Sequence, residues 1–230
     1  MLSRIAAAIV PSLGRLTTST DLVAVPAPGI LVANHTSLAD PGIVLAALRR
    51  MDIEPVVLAT AGLWRIPVLR HLLDRDGHVP VFRRTAHAAD ALDTAAAALE
   101  AGRHVLVYGE GRIPPRKDAA EAAPASFRSG PARLATATGA PIIPIGQAGA
   151  RRVASGSLAK QVAGLLTAPA RRPFLHVHVG APLHLPAEIA TATATAHQAV
   201  TAAWRTAARR LGEPAARTPS ARTGVRDRPA

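Results

Sequence analysis

A histidine and an aspartate lie at a spacing that general-base catalysis can use. His35 and Asp40 are five residues apart and follow the apolar residues 30–33. On a regular helix this spacing would point the two side chains roughly 140° apart, so they can meet only across a turn. A strand-to-helix turn would let the carboxylate hold the imidazole, which could then accept a proton from a hydroxyl group. Alternatively, Asp40 only caps a helix before Pro41, and His35 is an ordinary loop histidine.

Two arginines follow a later apolar segment. Residues 79–82 are succeeded by Arg83 and Arg84. A guanidinium fork at the end of a strand matches the geometry of phosphate oxygens, so the pair is a candidate phosphate site. The alternative is a solvated pair at the start of the next helix.

A third candidate segment places an acid between glycines. Glu110 lies between Gly109 and Gly111, Arg112 comes next, and the segment directly follows the apolar residues 105–108. Glycines allow tight turns and close approach of a ligand to the backbone. Glu110 and Arg112 could therefore hold the hydroxyl and phosphate groups of a polyol phosphate, although an ordinary turn also explains them.

A fourth segment, residues 140–146, carries Pro144 inside an apolar run. A proline there indicates an edge or bulge position of a strand. The segment could line a pocket or belong to the core.

Short apolar runs alternate with helical patterns along the chain. Strands are predicted at residues 22–25, 30–33, 56–59, 79–82, 104–108, 142–145 and 174–179, and helices at 41–50, 63–73, 86–101, 131–138 and 187–211. This alternation predicts one α/β domain, with a largely parallel central sheet of about seven strands flanked by helices.

The chain is predicted to have three parts. Residues 1–20 form an N-terminal helical segment that packs on the domain or lies at a membrane interface, and residues 21–211 form the main domain. Residues 212–230 form a disordered basic tail, and residues 112–128 a mobile loop. We expect no transmembrane span, because the longest uncharged stretch is broken by glycines and prolines.

The net charge of +12 comes almost entirely from arginine. Such a surface favours anionic partners such as acidic lipid, nucleic acid or phosphorylated substrates, although a GC-rich genome also enriches arginine. Only 3% of residues are aromatic. Because no stacking platform or basic recognition helix is evident, we expect no nucleic-acid binding.

The chain contains no cysteine. Disulfides, thiolate metal sites and a cysteine nucleophile are therefore excluded. His176 and His178 alternate with apolar residues, and a His-x-His pair can bind zinc. Because no third ligand is evident nearby, a strand with one apolar face explains them better. We expect no bound metal or cofactor.

The four segments, in this order, resemble the four sequence blocks of the glycerolipid acyltransferases, the lysophosphatidic-acid (1-acylglycerol-3-phosphate) acyltransferase family. The first block, with its HX4D pattern, is matched by Asn34, His35 and Asp40. The second is matched by Gly77, Pro80, Val81 and Arg83, with Phe82 in place of the usual aspartate. The third is matched by Glu110 and Gly111, with Gly109 in place of the usual proline, and the fourth around Pro144. Arg112 either replaces the block's threonine or is its arginine after a one-residue deletion.

The resemblance implies an acyltransferase of phospholipid biosynthesis. A fatty acyl group would pass from a thioester co-substrate, acyl-CoA or acyl carrier protein, to the hydroxyl group of a lysophospholipid. The expected acceptor is 1-acylglycerol 3-phosphate. His35 would be the base and Asp40 its support. Arg83 and Arg112 would bind the acceptor phosphate, with Glu110 and Gly111 at its glycerol part.

Two alternatives to this function remain. One is the same chemistry on another lysolipid or polar acceptor, because the altered third block lies where the family binds the acceptor. The other is a non-catalytic protein that binds anionic lipid or nucleic acid.

The expected location is cytoplasmic, peripheral on the inner face of the plasma membrane, with Leu63 and Trp64 at the lipid interface.

Overall fold

The computed structural model describes residues 1–24, 27–82, 89–114 and 120–213. The strands are β1 Arg15–Thr20, β2 Ile30–Ala33, β3 Val56–Thr60, β4 Val79–Val81, β5 Val105–Tyr108, β6 Ile142–Ala148 and β7 Phe174–Val179. The α-helices are α1 Leu2–Leu13, α2 Asp40–Arg49, α3 Pro67–Arg75, α4 Asp90–Glu100, α5 Gly130–Thr138, α6 Ala150–Val153, α7 Leu158–Arg171 and α8 Ile189–Arg210. A 3₁₀ helix, Ala61–Arg65, leads into α3.

The strands form one sheet of seven in the order β1-β7-β6-β2-β5-β3-β4. Neighbouring strands are parallel except β6 and β7, which pair antiparallel. The predicted α/β class, with a largely parallel sheet flanked by helices, is confirmed.

Successive residues of β2 show that both faces of the sheet are covered. Leu31 and Ala33 pack in a core with α1, α2, α6 and α7, whereas Ile30 and Val32 pack in a second core with α4, α5 and α8. All four side chains are fully buried. A strand that is buried on both faces has a continuous run of apolar residues, and β2 could therefore be predicted from the sequence.

The strand predicted at residues 22–25 is wrong. The first strand is β1, which lies within the segment predicted to be helical, and it pairs in parallel with β7 at the edge of the sheet. Only Leu16 of β1 is buried. The polar sequence Thr-Thr-Ser-Thr gives no apolar signal because an edge strand leaves much of its surface in solvent. Residues 25–26 lie outside the described part.

Several element boundaries also differ. Pro67 divides the helix predicted at residues 63–73 into the 3₁₀ helix and α3, since proline is favoured at a first helical turn. Helices α6 and α7 were not predicted, and β6 continues three residues further than predicted, to Ala148. The predicted helix start at residues 86–88, part of the predicted mobile loop (115–119) and most of the predicted tail (214–230) lie outside the described residues.

In the described part of the chain, no helix combines the length and the apolar character needed to cross a membrane.

Candidate active site

The site forms where three neighbouring strands end. Strands β6, β2 and β5 are adjacent and parallel, and Ala33 pairs with both Ile145 and Tyr108. The carboxyl ends of these strands therefore meet at one edge of the sheet, where ligands of open α/β sheets are bound. The loop that begins with Asn34, the turn at Glu110 and the end of β6 converge there.

His35 and Asp40 meet across the turn between β2 and α2. The imidazole Nδ1 lies 2.8 Å from Asp40 Oδ2. The side chain of Asp40 is fully buried, and that of His35 is 14% exposed. The aspartate is the first residue of α2, so the strand-to-helix junction supplies the turn that the spacing required.

The Asp40 carboxylate also holds the turn itself. Its Oδ2 accepts hydrogen bonds from the backbone N–H groups of Thr36 and, at 2.8 Å, Ser37. Both donors precede α2, so these bonds hold the turn and do not cap the helix. The alternative that Asp40 is the N-cap is wrong, because the N-cap is Ala39 and α2 has no side-chain capping bond.

Asn34 fastens this loop to β6. Its side-chain Nδ2 donates to the carbonyl of Gln147 at 3.1 Å, and its Oδ1 accepts from the N–H of Gln147 at 2.8 Å. The Gln147 amide donates in turn to the hydroxyl of Thr36 at 3.2 Å. Both amide residues are fully buried. The pair fixes the start of the loop, and therefore the position of His35, against a neighbouring strand.

Glu110 lies next to the loop that begins with Asn34. Its Oε2 accepts a hydrogen bond from the backbone N–H of His35 at 3.0 Å. The residue is 4% exposed, and Oε1 has no hydrogen-bond partner among the described residues. Burial raises the pKa of the Glu110 carboxyl to about 8, against hydrogen bonds from backbone amides that lower it. The side chain is therefore mainly protonated at neutral pH. Because Oε1 is itself buried, a ligand could bond it only if neighbouring atoms moved.

Tyr108 supports the imidazole from one side. The ring centroids of Tyr108 and His35 are 4.4 Å apart, with the planes tilted by 32°. Burial raises the pKa of the Tyr108 phenol well above its usual value, and the charges of Asp40 and Glu110 act in the same direction. The neutral ring restricts the orientation of His35.

The remaining predicted site residues are less enclosed. Gly111 has a φ of +66° and donates to the Tyr108 carbonyl at 3.0 Å, so its conformation suits glycine and closes the turn that carries Glu110. Arg112, next in the chain, is exposed. Arg83 lies outside the described residues.

Sequence reasoning missed several residues around the site. Arg151 is 3% exposed and donates to the carbonyls of Thr36 (3.4 Å) and Ala120 (3.0 Å). Glu121 accepts from the N–H of Gly149 at 2.6 Å and from the Trp204 indole at 3.3 Å, and burial raises its pKa. No local motif marks these contacts, because each joins segments far apart in sequence.

His176 and His178 of β7 form hydrogen bonds with side chains of β1 and of Asp21, which follows it. The Ser19 hydroxyl lies 2.8 Å from His176 Nε2 and 3.0 Å from His178 Nδ1. Thr17 and Asp21 contact the remaining ring nitrogens at 2.7 and 3.2 Å. The described ranges contain no cluster of three or more side chains suited to holding a metal ion.

Comparisons with protein families and with solved structures both give matches. The family model described as Acyltransferase matches residues 17–147. Among solved structures, the chain is similar to the 1-acyl-sn-glycerophosphate (LPA) acyltransferase PlsC from Thermotoga maritima, with a TM-score of 0.68 and 17% sequence identity. That alignment covers 93% of this chain and 79% of the PlsC chain. No curated protein matches the sequence.

Proposed function

Since the chain belongs to the acyltransferase family, we propose that it moves a fatty acyl group from a thioester donor to the hydroxyl group of a lysophospholipid. The observation that carries this proposal is the His35–Asp40 pair at the carboxyl ends of β2, β5 and β6. The pair lies in the part of the chain that the family model covers.

The geometry suits a direct transfer. Because His35 Nδ1 is bonded to Asp40, the imidazole can use Nε2 to take the proton of the acceptor hydroxyl. The hydroxyl oxygen then bonds to the thioester carbonyl carbon, the carbon–sulfur bond breaks, and the thiolate recovers the proton from the imidazolium. Asp40 stabilises the imidazolium in between. A thiol of pKa about 8.5 is a good leaving group, so this route needs no covalent acyl-enzyme and no cysteine.

The proposed acceptor is 1-acylglycerol 3-phosphate. Arg112 and Arg83 would bind its phosphate, since guanidinium groups match phosphate oxygens. Glu110 would use Oε1 for a glycerol oxygen while Oε2 holds the His35 amide. A protonated Glu110 suits this place, because it adds no negative charge next to a phosphate.

A second candidate is the same reaction on a different lysolipid. A Cβ at Gly109 would lie well under 3.0 Å from the ring of Phe127, so the proline usual at this point of the third block would require that ring to move. Phe127 in turn packs edge-on against His197, with ring centroids 5.0 Å apart. This aromatic packing next to Gly109 is the observation that favours the second candidate.

The donor and the location complete the proposal. Acyl-CoA and acyl carrier protein are both anionic and suit a chain of net charge +12. We place the protein in the cytoplasm, peripheral on the inner face of the plasma membrane, where a lysophospholipid acceptor resides.

The test is a thiol-release assay with acyl-CoA or acyl carrier protein and a panel of lysophospholipids. We expect release that depends on lysophosphatidate and falls about 10²–10⁴-fold in His35→Ala, the usual effect of losing a positioned base. Asp40→Asn should also reduce the rate, since a neutral amide stabilises the imidazolium less. His71→Ala is the matched control, because His71 is exposed on α3.

The outcomes separate the candidates. Release with another lysolipid and not with lysophosphatidate would favour the second candidate. Lipid or nucleic-acid binding without any thiol release, or equal activity of His35→Ala and His71→Ala, would contradict the enzymatic proposal.

A further inference from the structure

Exposed large apolar side chains gather at the catalytic end of the sheet. Leu38 follows β2, Ile66 and Val68 follow β3, and Phe82 follows β4; they are 48%, 48%, 71% and 48% exposed. Phe174, at 51%, begins β7 and so lies at the same end, because β7 runs antiparallel to β6. When so much aliphatic and aromatic surface is exposed to water at one end of a molecule, that end is typically an interaction surface.

Helix α7 adds a continuous apolar stripe to this end. The helix follows β6 through α6, and its N-terminal turn meets the catalytic loop, where the Leu38 N–H donates to Gln161 at 3.3 Å. Val162 and Leu166 are 48% and 77% exposed. They are four residues apart, so they share a helix face. The other exposed residues of this face are Ala159, Ala163, Pro169 and Ala170.

The segment that carries the stripe is free of acidic residues. No acidic residue occurs in the sequence between Glu121 and Glu188. The same stretch contains Arg128, Arg133, Arg151, Arg152, Lys160, Arg171 and Arg172. At the rim of the site, Asp40 and Glu110 are both buried. Arg151 is buried and Arg152 is paired with Glu213, so the exposed cations next to the stripe are Lys160, Arg171 and Arg172.

We infer that this catalytic end, with α7 and Leu38 at its centre, docks on a bilayer that contains anionic phospholipid. This inference rests on the proposed function and specifies its partner. A bilayer surface can contact α7, the catalytic loop and the start of α3 together, whereas these groups lie on separate elements. Apolar side chains bordered by Lys and Arg are the combination that binds such an interface. Docking in this orientation presents His35 to an acceptor that stays in the membrane.

The surface differs from the one expected from sequence. Trp64 is only partly exposed and donates its indole N–H to Asp74 at 2.6 Å, and Leu63 is also partly buried. The strongly exposed neighbours are instead Ile66 and Val68.

The test is flotation of the full chain with vesicles of phosphatidylcholine alone and of equimolar phosphatidylcholine and phosphatidylglycerol. We expect binding to the anionic vesicles that weakens in high salt. Leu166→Glu and Val68→Glu should each lower the partition coefficient at least about tenfold, since each removes an aliphatic group and adds a repelled charge. Val23→Glu is the matched control, because Val23 is fully exposed on the connection that leads to the start of β2. It should bind as wild type does.

Binding is measured without turnover, so this test is independent of the acyltransfer assay. His35→Ala should float like the wild-type chain even where thiol release is lost. Equal losses in Leu166→Glu and Val23→Glu, or no flotation in low salt, would overturn the inference. The inference would also be overturned if the chain bound purified acyl carrier protein and not vesicles, and if Leu166→Glu abolished that binding. Thermal unfolding of each variant shows that the comparison is between folded proteins.

Discussion

At the residue scale, one carboxylate links the turn to the chemistry. Asp40 Oδ2 is bonded to the His35 imidazole and to two backbone amides of the same turn. Any movement of the turn therefore also moves the carboxylate that holds the His35 imidazole. This shared contact explains why six residues of local sequence are enough to bring His35 and Asp40 together.

Glu110 gives a prediction at this scale. Its pKa is raised from 4.5 to about 8, so the folded state favours the protonated form. The wild-type free energy of unfolding should consequently fall as pH rises from 4.5 to 8, and level off above that, relative to a variant without the carboxyl. Between pH 5 and 9 the loss relative to Glu110→Gln should be on the order of 4 kcal/mol. Chemical denaturation of both proteins at the two pH values measures it.

The control for Glu110 is Glu100→Gln on α4, because Glu100 is exposed. It should follow the wild-type pH dependence. Parallel pH profiles for wild type and Glu110→Gln would show that Glu110 is ionised in the folded protein at neutral pH.

At the element scale, close packing of α8 on β6 holds one wall of the site. A Cβ at Gly146 would lie well under 3.0 Å from backbone atoms of Ala203 and Trp204. Gln147, which pairs with Asn34, is the next residue of β6. The helix can therefore reach this distance from the strand only because residue 146 has no side chain, and the strand that positions the catalytic loop is fixed by that contact.

Gly146→Ala should separate α8 from β6. Backbone atoms cannot move aside as flexible side chains do, so we expect a loss of at least about 3 kcal/mol in the free energy of unfolding. Gly130→Ala is the control, since nothing lies within 4 Å of a Cβ there. Denaturant titration should show a lower midpoint for the first variant only. A wild-type midpoint for Gly146→Ala would contradict the packing described for α8.

At the scale of the whole molecule, the two ends of the sheet differ. The catalytic end carries the exposed apolar residues and the buried acids, whereas His78 lies at the opposite end, before β4. Burial lowers the pKa of the His78 imidazole from 6.5 to about 4, with Arg103 acting in the same direction and Asp76 against it. Its neutral ring accepts the N–H of Val57 at 3.0 Å.

The molecule should accordingly lose stability in acid through His78. A lowered pKa means that the contribution is complete above pH 6.5 and is lost as pH falls toward 4. Relative to His78→Gln, whose side-chain oxygen can still accept from Val57, the wild type should lose up to about 3 kcal/mol over this interval. Denaturation at pH 7 and pH 4 measures the difference. Exposed His71→Gln should keep the full acid sensitivity, and the same sensitivity in His78→Gln would exclude His78 as its source.

By itself, the sequence determined the features that are encoded locally. The turn from His35 to Asp40 spans only six residues, and the apolar runs of the central strands are continuous because both faces are buried. The α/β class and the family followed from these patterns. The polar edge strand β1 was missed because an edge strand needs little apolar surface. Its register is set by its pairing with β7.

Only the tertiary structure decided what surrounds the histidine. The Gln147–Asn34 pair joins residues that are 113 positions apart in sequence. Arg151 bonds the carbonyl of Thr36, which is 115 positions away. The apolar end of the molecule likewise combines residues that follow four different strands. Such contacts depend on strand order and on the packing of helices, which local spacing does not encode; a turn, by contrast, is fixed by the bonds its own few residues can make.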